Sequence, residues 1–90
     1  MAWKIKYSKE ALKALKKIDK LQAKRILDTL EYKIAELDNP RIMGKSLQGN
    51  LKSLWRYRIG DYRVLCDIQD DAFIILAVFV GHRKNIYKFS

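Results

Sequence analysis

Residues 54–68 read Leu54-Trp55-Arg56-Tyr57-Arg58-Ile59-Gly60-Asp61-Tyr62-Arg63-Val64-Leu65-Cys66-Asp67-Ile68. Aromatic and aliphatic residues alternate with arginines up to Gly60-Asp61, and the alternation resumes beyond it. A period of two marks a pair of half-buried strands. Glycine opening a two-residue connection predicts a hairpin closed by a type II′ turn. That turn sets the register: Ile59 against Tyr62, Arg58 against Arg63, Tyr57 against Val64, Arg56 against Leu65. Opposed residues share a face. One face then carries Trp55, Tyr57, Ile59, Tyr62, Val64 and Cys66, and is expected to meet the covering helices. The other carries Leu54, Arg56, Arg58, Arg63 and Leu65. Like charges placed directly opposite each other cost stability. The arginine face reads in one of two ways. It is a solvated charged surface, or it is a fixed anion site, because guanidinium forks hold phosphate oxygens at two points.

Outward from the hairpin, the N-terminal side supplies the helices. Trp3, Ile5 and Tyr7 alternate with Lys4 and Lys6, a strand pattern over residues 2–7. Ser8 is a natural N-cap for a helix carrying Ala11, Leu12, Leu15 and Ile18. Asp19-Lys20 reads as a short break. A second, longer helix carries Leu21, Ile26, Leu27, Leu30, Ile34 and Leu37 and stops at Asp38-Asn39-Pro40. Residues 41–52 read as a loop containing Gly44 and Gly49. Asp70-Asp71 marks a second turn, and Ala72–Val80 is an apolar strand covered on much of both faces. The expected architecture is α+β, in the order β-α-α-β-β-β: an antiparallel sheet with an N-terminal helical hairpin packed on one face.

The chain has 90 residues, with 19 Lys and Arg against 10 acids and a formal net charge of +9. This length points to one domain, residues 1–90. The excess of cations favours polyanions, with nucleic acid as the first candidate partner and an acidic protein as the second. Cys66 is the sole cysteine and lies in an alternating apolar stretch, which fits a core residue in a reducing, cytoplasmic setting. The apolar run 72–80 is far shorter than the roughly 20 residues of a membrane helix. No metal-ligand spacing or glycine-rich phosphate loop is present, so neither a metal nor another cofactor is expected.

The segment Gly81-His82-Arg83-Lys84-Asn85-Ile86-Tyr87 follows the last strand. In a meander its start falls beside Arg63. His82 is the only histidine, and it reads either as a structural residue or as an acid–base group that titrates near neutrality. Tyr87 stacks on a base, donates to a phosphate, or packs on the sheet.

The element order resembles the RelE-type toxins of toxin–antitoxin pairs, within the RelE/ParE superfamily. So do Leu47-Gln48-Gly49, Trp55-Arg56-Tyr57-Arg58, Tyr62-Arg63-Val64 and Gly81-His82-Arg83 with Tyr87. The resemblance covers essentially the whole chain. It implies an endoribonuclease that enters the ribosomal A site and cuts mRNA through attack of a 2′-hydroxyl on the adjacent phosphate. It also implies a RelB-like antitoxin as partner, and charge complementarity predicts that this antitoxin is acidic. The implied site is Arg56, Arg58, Arg63, His82, Arg83 and Tyr87. Arg58 and Arg63 are expected on the scissile phosphate, Arg83 at the leaving group and Tyr87 on the substrate. Either His82 is the base, or the base is weak and catalysis rests on positioning and charge stabilisation. Founding members carry lysines where this chain has Arg56 and Arg58, and their spacing to the final tyrosine is longer. Arginine does not give up its proton in proteins, so Arg56 is a poor base. A ParE-like toxin that poisons DNA gyrase is the alternative, and an inactive RNA-binding module is a third reading.

Overall fold

The computed structural model describes residues 2–47 and 54–85. Strand β1 (Lys4–Tyr7) leads into helices α1 (Lys9–Lys17) and α2 (Lys20–Asp28), and α2 runs on as a π-helical segment, Thr29–Ile34. Strand β2 is the two-residue Lys45–Ser46, followed by β3 (Trp55–Ile59), β4 (Tyr62–Gln69) and β5 (Ile74–His82). They form one five-stranded sheet in the order β1-β5-β4-β3-β2.

The caps explain the helix boundaries. The Ser8 hydroxyl oxygen accepts from the Ala11 N–H at 3.1 Å. The Asp19 carboxylate accepts from the N–H groups of Leu21 and Gln22, so the break read at 19–20 is the N-cap of α2. Ala11 and Leu15 of α1, Ile26 of α2, and Leu30 and Ile34 of the π segment bury themselves against Tyr57, Ile59, Val64, Cys66, Ile75, Ala77 and Val80. The face expected to meet the helices does so. Cys66 is fully buried, and that burial pushes its thiol pKa up, which keeps it protonated and inert.

Two features depart from the sequence reading. The sheet is mixed, because β1 pairs with β5 in parallel. β2, β3, β4 and β5 alternate in direction, so β1 is parallel to β3 and β5 and antiparallel to β2 and β4. Strand β2 pairs Lys45 with Arg56 and Ser46 with Trp55 inside the stretch expected to be loop. The second departure is a β-bulge in β5. Leu65 faces Phe79 while Cys66 faces Ala77, which leaves Val78 as the extra residue. Ser8 stitches α1 to this bulge: its N–H donates to Ala77 O and its hydroxyl to Val78 O, both at 2.8 Å.

Candidate nucleic-acid interface on the open sheet face

The hairpin has the expected register throughout, from Ile59 opposite Tyr62 to Trp55 opposite Cys66. Gly60 takes φ +60°, while Phe73 is the one non-glycine with positive φ among the described residues. Asp61 therefore has negative φ, as a type II′ turn requires. In a two-residue hairpin the closing pair exchanges both backbone hydrogen bonds. Arg58 and Arg63 are then a non-hydrogen-bonded pair, in which side chains stand closest together.

The two arginines differ in state. Arg58 is exposed, whereas Arg63 is only 7% exposed. The Arg63 Nη1 donates to Tyr62 O at 3.0 Å and to Gly60 O at 3.2 Å, which anchors its guanidinium to the turn. Arg56 is half-buried, and β2 sets Lys45 directly beside it. Sequence reasoning missed Lys45, because a two-residue strand carries no periodic signal and is created by its partner. Among the described residues the ion pairs are Lys24–Asp28 and Arg41–Asp70. No carboxylate there neutralises Lys45, Arg56 or Arg58. Between the cations lies a small apolar cluster of Leu47, Leu54, Leu65, Val78 and Phe79. At the opposite edge Lys4 and Lys6 share this face with Ile74 and Leu76.

The end of β5 reaches the hairpin tip as expected. Gly81 pairs with Arg63, and the Arg83 N–H donates to Asp61 O at 2.8 Å. Glycine beside Arg63 adds no side chain to the Arg58–Arg63 row. His82 is not brought to the arginines. It pairs with Tyr62, whose ring packs against the helix-side core, and the two rings meet edge to face at 5.6 Å. Its Nδ1 accepts the Lys84 N–H at 3.2 Å, so the neutral ring carries its proton on Nε2. The bulge is the reason. Were Val78 paired in regular alternation instead of bulged, the alternation from Ile75 would carry His82 to the arginine face; the bulge reverses that parity. Tyr87, Gln48 and Gly49 lie outside the described residues.

Tyr57 is committed elsewhere. Burial raises its pKa, and its hydroxyl donates to Pro40 O at 2.7 Å. Trp55 Nε1 donates to Met43 O, so both aromatics tie the segment before β2 to the sheet. Gly44, at φ +81°, then bends the chain into β2. A Cβ there would lie 2.4 Å from Arg56 O.

The model of the ParE toxin of type II toxin–antitoxin systems matches residues 5–87. The chain belongs to the ParE toxin family. Its fold is that of solved RelE toxins, and it is a toxin of the RelE/ParE type from a toxin–antitoxin system. The Mycobacterium tuberculosis RelBE2 toxin–antitoxin complex contains a chain that superposes with a TM-score of 0.85 at 21% identity, covering 94% of this chain and 95% of that one. A free-state arginine mutant of the Escherichia coli toxin RelE gives 0.77 at 20% identity, with 97% and 90% covered. The RelB–RelE antitoxin–toxin complex of Methanococcus jannaschii gives 0.67 at 28% identity, with 94% and 98% covered. A search of curated protein sequences finds no match. No helix among the described residues is long and apolar enough to cross a membrane.

Proposed function

We propose that this RelE/ParE-type toxin is a ribosome-dependent endoribonuclease that cuts mRNA in the A site. One observation carries the reading: Arg58 faces Arg63 across the hairpin, beside Arg56 and Lys45, with no described carboxylate on Arg56, Arg58 or Lys45. Opposed cations on rigid strands cost stability and repay it only with an anion between them. In this reading Arg58 and Arg56 grip the scissile phosphate. Arg63, held by the turn carbonyls, supplies fixed positive potential behind them. Arg83 stabilises the leaving 5′-oxygen, and Tyr87 orients the substrate. The 2′-oxygen attacks the phosphorus as its proton passes to water, the bond from phosphorus to the 5′-oxygen breaks, and that oxygen takes a proton from water, giving a 2′,3′-cyclic phosphate and a 5′-hydroxyl. None of Arg56, Arg58 and Arg63 is a ready base, because arginine keeps its proton, and His82 lies across the sheet with Nδ1 occupied. Catalysis then rests on positioning and charge stabilisation. The natural inhibitor in this reading is an acidic RelB-like antitoxin laid over the apolar cluster between the two cationic edges.

The family model, which describes ParE toxins, favours a second reading: a gyrase poison with no nuclease activity. Primer extension on mRNA translated in the presence of the purified toxin separates the two. Breaks inside codons that require the ribosome support cleavage. Intact mRNA together with gyrase-linked double-strand breaks in DNA overturns it.

A further inference from the structure

We propose that the cavity at the open edge of β3 is a nucleotide pocket, taking one unstacked base of the bound strand with the adjoining phosphate on the cations at its rim. The RNA source of that nucleotide rests on the cleavage reading above; the chemistry of the pocket does not.

The cavity exists because β2 is short. Beyond Lys45, Gly44 turns the chain away from β3, and the gap between them holds about 320 Å³. Thr29, Ile34, Met43, Gly44, Arg58 and Ile59 are among the residues that line it. The size sits at the lower end of small-molecule sites, which start at roughly 300 Å³. Its lining is mixed: Ile34, Met43 and Ile59 are apolar, while Lys45, Arg56, Arg58 and Arg63 bring charge. Arg58 belongs to a non-hydrogen-bonded pair, so its N–H and C=O point away from β4 into the gap, where β2 no longer covers the edge. The Tyr57 hydroxyl and the Thr29 hydroxyl are already donating, to Pro40 O and Arg25 O. The pocket thus offers an apolar patch of Ile34, Met43 and Ile59 and one adjacent backbone donor and acceptor. Lys45, Arg56 and Arg63 also line it, giving a cationic rim.

A strand of another protein fits this edge poorly. β2 already occupies Trp55 and Arg56, and the hairpin turns at Gly60. One outward-facing residue, Arg58, is left for ladder bonding, which is too little to hold an extended peptide. A nucleobase needs what is present: a slot for its ring, one donor and one acceptor for its pairing edge, and cations for its phosphate.

The test is nuclear magnetic resonance on the full chain, titrating each of the four nucleoside 5′-monophosphates, with inorganic phosphate as control. At least one nucleotide is expected to shift the amides of Met43, Gly44, Arg58 and Ile59 where phosphate leaves them still. Thr29→Trp plugs the slot and should abolish those shifts; Met43→Trp serves if the first variant does not fold. Nucleotide shifts matching those of phosphate, or shifts that survive the plug, overturn the proposal. So does an acidic heptapeptide that moves the same amides and displaces the nucleotide. Primer extension with the wild type and the plugged variant keeps the two readings apart. Nucleotide binding without mRNA breaks leaves the pocket standing and removes the nuclease. Identical breaks at identical rates with the slot plugged do the reverse.

Discussion

Arg58 and Arg63 face each other, yet they do different work. Arg63 is buried with Nη1 on two turn carbonyls, so its charge is partly compensated and its position fixed. Arg58 is exposed and is the member free to meet a phosphate. Each phosphate neutralised adds roughly 0.7–0.9 to the slope of log affinity against log salt. Arg58→Ala should therefore lower the salt slope of ribosome or RNA binding by about 1, with the fold intact, as measured by titration at several ionic strengths. An unchanged slope would remove Arg58 from the interface. His82 gives the opposite expectation. It sits on the helix side against Tyr62 and accepts from Lys84. His82→Gln should leave single-turnover cleavage within a few-fold of wild type. A general base would cost about 10²–10⁴-fold on removal, and a loss of that size would restore His82 to the chemistry.

The hairpin is the element that orders the site, and two glycines hold it in place for different reasons. Gly60 adopts φ +60° in the turn, where an added Cβ would stand 3.0 Å from Arg25 Nη1, the far end of a flexible side chain. Gly44 adopts φ +81°, and its added Cβ would lie 2.4 Å from the backbone oxygen of Arg56 and 2.6 Å from Trp55 Nε1. Left-handed backbone costs a non-glycine residue about 1–2 kcal/mol. Gly60→Ala should lose about that much in urea unfolding. Gly44→Ala should lose more, because backbone cannot step aside, and it should also disturb the pairing of β2 with Arg56. Equal losses for the two variants would show that the close approach at Gly44 relaxes at little cost. β5 is ordered from outside itself: the bulge carbonyl of Val78 is satisfied by the Ser8 hydroxyl, so the parity of the strand end depends on a residue in the cap of α1.

Across the open sheet face the cations form two edges, Lys4 and Lys6 on β1 and Lys45, Arg56 and Arg58 on β2 and β3, flanking an apolar strip. A partner that covers this face must bury apolar side chains and supply carboxylates to both edges. The antitoxin should therefore be acidic, and charge-steered association should slow steeply as salt rises. Co-purification of a neutral or basic inhibitor, with association indifferent to salt, would count against that. Much of this surface was legible in the residues. The alternation of 54–68 and the Gly60-Asp61 turn set the hairpin register, and with it the facing arginines and the buried Tyr57, Val64 and Cys66, because turn type and a two-residue period are local properties. Ser8 and Asp38-Asn39-Pro40 bounded the helical region for the same reason. Three things were decided only in the folded chain. β2 exists because Gly44 bends two residues onto the edge of β3. β1 runs parallel to β5, a pairing that joins the two ends of the chain. The bulge at Val78 forms where α1 is stitched to β5, and it turns His82 away from the arginines. Each depends on contacts between residues distant in the chain, and such contacts leave no period, cap or turn signature in the local sequence.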